Sequence, residues 1–228
     1  RLRREVPLQP AQEVLSPATL PNVKGPTLPT FQQGASIVLA SRMMNYPLTV
    51  THLLQRARTY FPGVEIVSRR TDKTLHRGTY EAFYKRSARL ANALKRLGVK
   101  PGDRVATLCW NHREHLEAYF GVPAMGAVVH TLNLRLHPTE IGYIANHAED
   151  KVVIVDRSLL PLFEKFSETV RSIQRVIVVP DAASNVPVSG AYLDYEELLA
   201  AEEDEYDWPS LDETAAAMIC YTSGTTGK

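Results

Sequence analysis

The sequence predicts an α/β fold: a layered, mainly parallel sheet with helices on both faces. Three observations carry that expectation. From residue 45 onward, strand-length apolar runs alternate with helical patterns of about 10–15 residues, the rhythm of βαβ units. The runs near 104–110, 127–131, 151–156, 175–180 and 215–221 are mostly apolar rather than alternating, which marks strands covered on both faces. Gly, Pro and Asp punctuate the joins between them.

Taken in order, residues 48–61 form the first expected helix. Leu53, Leu54 and Ala57 share one face, and Thr49 or Thr51 is the cap. Pro62-Gly63 ends it, and 64–68 reads as a short strand. Thr79 caps the strongest helical pattern. Tyr80, Phe83, Tyr84, Leu90, Ala91, Leu94 and Leu97 recur at three- and four-residue steps. Lys85, Arg86, Arg89, Lys95 and Arg96 fill a face expected to be solvated. Gly98 is the C-cap, and Pro101-Gly102-Asp103 turns the chain into strand 104–110. Helix 113–119 follows, with Pro123 expected to end or kink it, then strand 127–131. Pro138 opens a helix that runs to His147. Strand 151–156, helix 158–173, strand 175–180, loop 181–191 and helix 195–201 come next. An acidic linker, 202–207, leads to the last strand, 215–221. No internal repeat of fixed period is present.

Composition narrows the function classes. The 228 residues make one large domain or two small ones. With 26 basic and 25 acidic residues the formal net charge is +1, which gives no general case for nucleic-acid or anionic-membrane binding. The two cysteines, Cys109 and Cys220, exclude a disulfide scaffold and a cysteine-rich zinc site; they suit a reducing, cytoplasmic setting and read as buried small hydrophobes. The longest apolar run, 121–129, is well short of the ~20 residues of a membrane helix.

Residues 1–42 stand apart. They hold six of the fifteen prolines and show neither helical nor strand periodicity. They are expected to be a disordered or non-native extension, with 43–228 as the folded portion. A transit peptide is disfavoured because the prolines would break its amphipathic helix, and Met43-Met44 offers another start of translation. The chain opens on Arg1 and closes on Lys228 inside a functional turn, so it is expected to be a piece of a longer protein.

The chemistry concentrates at that turn. Tyr221-Thr222-Ser223-Gly224-Thr225-Thr226-Gly227-Lys228 directly follows the last apolar run. Gly224 and Gly227 let the backbone approach an anion closely, and successive N–H groups can form an anion nest. The hydroxyls of Thr222, Ser223, Thr225 and Thr226 add donors, or oxygen ligands for Mg²⁺. A Walker loop would need glycine at 222, where threonine stands.

Tyr221 to Gly227 closely resembles the signature loop of the adenylate-forming (AMP-binding) superfamily: acyl-CoA synthetases, luciferases and peptide-synthetase adenylation domains. The Pro-Lys-Gly that completes that signature is missing here, because the chain stops at Lys228. Upstream, Gly102-Asp103-Arg104-Val105-Ala106 is similar to the family's turn into an early strand. His115-Leu116-Glu117-Ala118-Tyr119-Phe120, Pro123 to Thr131, Asn133, Arg135 and Ile144 to Lys151 resemble the fatty acyl-CoA synthetase branch (medium- and long-chain ligases). The likeness covers about 45–228 and none of 1–42.

The resemblance implies an N-terminal portion of an AMP-forming fatty acid–CoA ligase. ATP, Mg²⁺ and CoA are the implied co-reactants. Thr222, Ser223, Gly224, Thr225, Thr226 and Gly227 would bind the β- and γ-phosphates, and Thr225 would ligate Mg²⁺. No residue of this chain is implied as catalytic, so 1–228 alone is expected to lack turnover. Relatives dimerise through the N-terminal region, so the resemblance allows a homodimer. The alternatives are an aryl-acid ligase, a peptide-synthetase adenylation domain, or a truncated non-catalytic paralogue acting as an interaction module.

Other residues have plainer readings. His112 and His115, with Glu114 and Glu117 nearby, lack the spacing of a zincin pair, so no metal is expected there. His130 and His137 are expected as strand-end and loop residues rather than bases. No Gly-x-Ser-x-Gly elbow is present.

Overall fold

The computed structural model describes residues 46–222, which belong to the compact unit Asn45–Lys228. The expectations for 1–42 and for Ser223 to Lys228 lie outside the described residues.

The chain opens with α1 (Val50–Tyr60), then β1 (Glu65–Arg69), β2 (Leu75–Thr79) and α2 (Tyr80–Arg96). β3 (Arg104–Leu108), α3 (Arg113–Ala124), β4 (Val128–Thr131) and α4 (Pro138–His147) follow. The rest is β5 (Asp150–Asp156), α5 (Leu160–Ser167), β6 (Arg175–Val179), β7 (Leu193–Asp194), α6 (Tyr195–Ala200) and β8 (Met218–Cys220). Six strands form one sheet in the order β7-β6-β5-β3-β4-β8, and every pair is parallel. The expected α/β architecture is therefore present.

Strand residues alternate between two cores, as a pleated sheet requires. Val105, Val129, Val152, Ile154 and Ile177 face α2, α3 and α6. Ala106, Leu108, Val153, Val155 and Val178 face α4 and α5. A third cluster joins α1 to α2 and α3 through Leu54, Phe83, Tyr84, Ala88 and Ala124.

Local signals hold in several places. Thr79 Oγ1 accepts from the Ala82 amide at 3.2 Å and caps α2. Gly98, at φ +87°, closes the same helix, with its amide donating to Lys95 O and the Val99 amide to Leu94 O. Pro138 starts α4, and His137 completes a capping box with Glu140.

Four expectations need correction. Leu53 is exposed and Leu54 alone of that pair is buried, because adjacent helical positions point about 100° apart. The helix expected over 158–173 is a 3-10 turn, Arg157–Leu159, followed by α5, which stops at Ser167. There Thr169 Oγ1 donates back to Phe166 O at 2.6 Å, and Asn146 of α4 grips Thr169 O and the Arg171 amide. Cys220 is exposed, since β8 is an edge strand and the face bearing Met218 and Cys220 is uncovered among the described residues. The acidic run 202–207 is a strap rather than a free linker: Glu202 pairs with Arg96, Asp204 with Lys85 and Glu205 with Arg58. It lies along the basic stripe expected to face water.

A β1–β2 hairpin was not expected. Its strands pair antiparallel from Glu65↔Thr79 to Arg69↔Leu75. The turn is made by Asp72, whose Oδ1 accepts from the Thr74 amide and hydroxyl at 2.8 and 2.6 Å. β2 contains one large apolar residue, Leu75, and that residue is exposed, so it carries no hydrophobic alternation to read.

Candidate functional site

The carboxyl edge of the sheet offers two places for chemistry. The first is the exit of β8. That strand pairs with β4 through Val129↔Met218, His130↔Ile219 and Thr131↔Cys220. Tyr221 and Thr222 leave at the carboxyl end, with Thr222 exposed. A parallel strand thus feeds the segment predicted to bind phosphate. Thr222 is the only predicted site residue among the described ones; Ser223, Gly224, Thr225, Thr226 and Gly227 lie outside them.

Tyr221 is held by histidines. Its ring centroid lies 5.2 Å from that of His130, and its hydroxyl lies 2.6 Å from His147 Nδ1. His147 in turn stacks on Tyr143 at 5.8 Å. Burial, then the nearby Asp150 and Tyr143, push the Tyr221 phenol up. His130 lies one residue from the end of its strand, as expected. It sits within β4, fully buried, with Nδ1 at 2.8 and 2.9 Å from the two oxygens of the equally buried Asp150.

The second place is the topological switch point. β3 leads through α3 to β4, and β5 leads through α5 to β6, on opposite faces and in opposite directions. A crevice opens between strand ends of this kind. Here it is a cleft of about 420 Å³ lined by His112, Arg113, Glu114, Asp156 and Asp181, with the hairpin residues Arg70 to Asp72 on its rim. His112 bridges Asp156 at 2.8 Å and Glu114 at 3.0 Å. Burial opposes its charge, but the bonds to Asp156 and Glu114 outweigh burial and lift it to about 9. Burial likewise opposes the charge on Glu114, yet the His112 bond and Arg113 bring that carboxyl down to about 2. His115, buried and facing the charged His112, drops to about 4. At neutral pH His112 is therefore held as a cation, and His115 is neutral and weakly basic. Among the described residues no group of three or more His, Cys, Asp or Glu side chains is arranged to hold a metal ion.

Sequence reasoning missed the ionic network behind this cleft. Arg86 donates Nε–H to Glu117 at 2.6 Å and forks onto Glu196 at 2.7 and 2.8 Å. Arg113 joins Glu196 at 2.9 Å, and Tyr195 donates to Glu117 at 2.8 Å. Burial disfavours the Arg86 charge, but the Glu196 and Glu117 carboxylates more than restore it. Nothing in helical spacing separates Arg86 from its solvated neighbours, so no sequence signal marked it.

Comparison with known proteins agrees with this architecture. The family model described as "AMP-binding enzyme" matches residues 54–228. A long-chain-fatty-acid–CoA ligase of Thermus thermophilus is 48% identical over 187 residues, covering 82% of this chain and 33% of the relative. A medium-chain-fatty-acid–CoA ligase of Ectopseudomonas oleovorans is 36% identical over 190 residues, covering 83% and 35%. The crystal structure of a Brucella canis acyl-CoA synthetase superposes with a TM-score of 0.68 at 22% identity, over 79% of this chain and 32% of that one, a likeness of fold. The chain thus spans about a third of the length of the curated relatives it matches. With the family model covering most of the chain, and a parallel strand feeding the Gly/Ser/Thr segment, the chain belongs to the AMP-binding enzyme family.

Proposed function

We propose that the protein carrying this chain is an AMP-forming fatty acid–CoA ligase. A fatty carboxylate attacks the α-phosphate of ATP, displacing pyrophosphate and leaving an acyl-adenylate. The CoA thiol then attacks the acyl carbon, and AMP leaves with the oxygen of the mixed anhydride. The observation that carries this reading is the 48% identity to the Thermus long-chain ligase over 187 residues.

On this reading residues 43–228 are the N-terminal portion of the AMP-binding domain and 1–42 an extension before it. Thr222, Ser223, Gly224, Thr225, Thr226 and Gly227 hold the β- and γ-phosphates through amides and hydroxyls. The hydroxyl oxygens of this segment are hard donors of the kind Mg²⁺ prefers, and Thr225 would be its ligand from this chain. When bound, the ion supplies neutralisation of phosphate charge. The residues themselves orient the polyphosphate, so their contribution is positioning rather than proton transfer. We place the protein in the cytoplasm, in keeping with two free thiols, Cys109 and Cys220. Among the described residues no helix is long and apolar enough to cross a membrane. A homodimer accords with the resemblance, and light scattering tests it.

Fatty-acid-dependent exchange of labelled pyrophosphate into ATP tests the activity. The full-length protein that carries this chain is expected to support exchange, and Thr225→Ala to slow it by roughly a hundredfold. Exchange that ignores the fatty acid, or survives Thr225→Ala unchanged, overturns the proposal.

A further inference from the structure

The buried pair His130–Asp150 joins strands that do not touch, because β3 lies between β4 and β5. His130 Nδ1–H donates across the middle strand to both Asp150 oxygens, at 2.8 and 2.9 Å. Such a pair adds little to stability, since desolvating both partners offsets their attraction. What it does is fix orientation. With Nδ1 committed the ring cannot turn, and Nε2 remains buried with no hydrogen-bond partner among the described residues.

The fixed ring meets Tyr221, with centroids 5.2 Å apart and planes at 46°. Tyr221 is also met edge-on by His147, 5.8 Å away at 88°. It is the last large side chain before Thr222, Ser223, Gly224, Thr225, Thr226 and Gly227. Gly224 and Gly227 give the backbone of that stretch wide conformational freedom. Anion recognition nonetheless requires its donors to be placed within a fraction of an ångström.

We propose that His130, oriented by Asp150, is a positioning residue for polyphosphate binding: it holds the Tyr221 ring and so fixes the backbone from which the phosphate segment leaves β8. The inference rests on reading 222–227 as that segment. His130 touches no substrate. It acts through Tyr221, and the chemical class it serves is the triphosphate of Mg·ATP.

The test is a double-mutant cycle on Mg·ATP affinity, measured by calorimetry on the full chain. His130→Asn keeps a donor for Asp150 but removes the ring, and is expected to weaken Mg·ATP by roughly ten- to hundredfold. Tyr221→Ala is expected to lose a similar amount. The double variant should lose no more than either alone, because both remove one contact. Tyr221→Phe keeps the ring and should stay within about threefold of native. Unchanged affinity in His130→Asn, or losses that add in the double variant, overturns the inference. Thr225→Ala separates the two readings. If it leaves affinity unchanged, the phosphate segment is misassigned; if it weakens binding and His130→Asn does not, only the present inference fails. Should His130→Asn not fold, the native protein decides. Its Nδ1–H proton, bonded to a carboxylate and protected from solvent, is expected to shift in the NMR spectrum on adding Mg·ATP, and an unmoved resonance overturns the inference.

Discussion

Arg86 occupies the basic stripe of α2, where spacing predicts a solvated side chain. Instead its guanidinium is the closest cation to Glu117, which has no exposure at all. Removing one partner of a buried pair costs far more than the pair contributes, because the other charge stays desolvated. Arg86→Ala is therefore expected to lower the unfolding free energy in urea by about 3–5 kcal/mol. Arg86→Lys should recover only part of that, since a lysine cannot fork onto Glu196 while reaching Glu117. A loss below about 1 kcal/mol for Arg86→Ala would show that water reaches Glu117. The surface pairs of the strap behave differently. Arg96–Glu202 and Arg58–Glu205 each have one exposed partner, and each such pair adds about 1 kcal/mol or less.

At the scale of elements, the packing of α2 on α3 turns on Gly121. A Cβ there would meet the Ser87 carbonyl oxygen at 2.9 Å, and backbone cannot step aside as a flexible side chain does. Gly121→Ala gains helix propensity of about 1 kcal/mol, yet must push two helices apart. Overpacking of this kind costs about 1–3 kcal/mol, so the expected net change in thermal melts is a loss. A stabilised Gly121→Ala protein would refute the close approach. The hairpin has a different logic. Ile66 alone of its large apolar side chains packs on the cluster between α1, α2 and α3, and polar ties do the rest. Ser68 Oγ accepts from the Arg113 amide at 3.0 Å, and Thr71 reaches Asp181. His76 Nε2 lies 3.0 Å from Arg113 Nη1, and burial together with Arg113 and Arg70 depresses the His76 imidazole.

For the molecule as a whole, the titrating groups at the switch point set a pH window of stability. His112 rises from 6.5 to about 9 on folding. Its contribution is complete below pH 6.5 and is lost as pH climbs through 9. Glu114 falls from 4.5 to about 2, so its contribution is complete above pH 4.5 and is lost as pH drops through 2. His115 falls from 6.5 to about 4, so the folded state binds fewer protons than the unfolded one and stability declines as pH falls through that interval. Maximal stability is expected near pH 6.5, with an alkaline limb that His112→Gln removes. Melting curves from pH 4 to 10 check this, and an alkaline limb unchanged in His112→Gln would place its cause elsewhere.

Legible in the sequence were the order of nearly every strand and helix, the caps at Thr79, Gly98 and Pro138, and the parallel sheet. These depend on residues within a few positions of one another, where periodicity, turn chemistry and capping act. Which polar side chains go inside depends on contacts made in three dimensions. His130 finds Asp150 across an intervening strand, Arg86 finds Glu196 110 positions away, and Asp156 meets His112 44 positions away. The register of a sheet and the crossing of two helices create those meetings. A buried charge is tolerated only where its partner arrives, so its position is fixed by the fold and has no local signature.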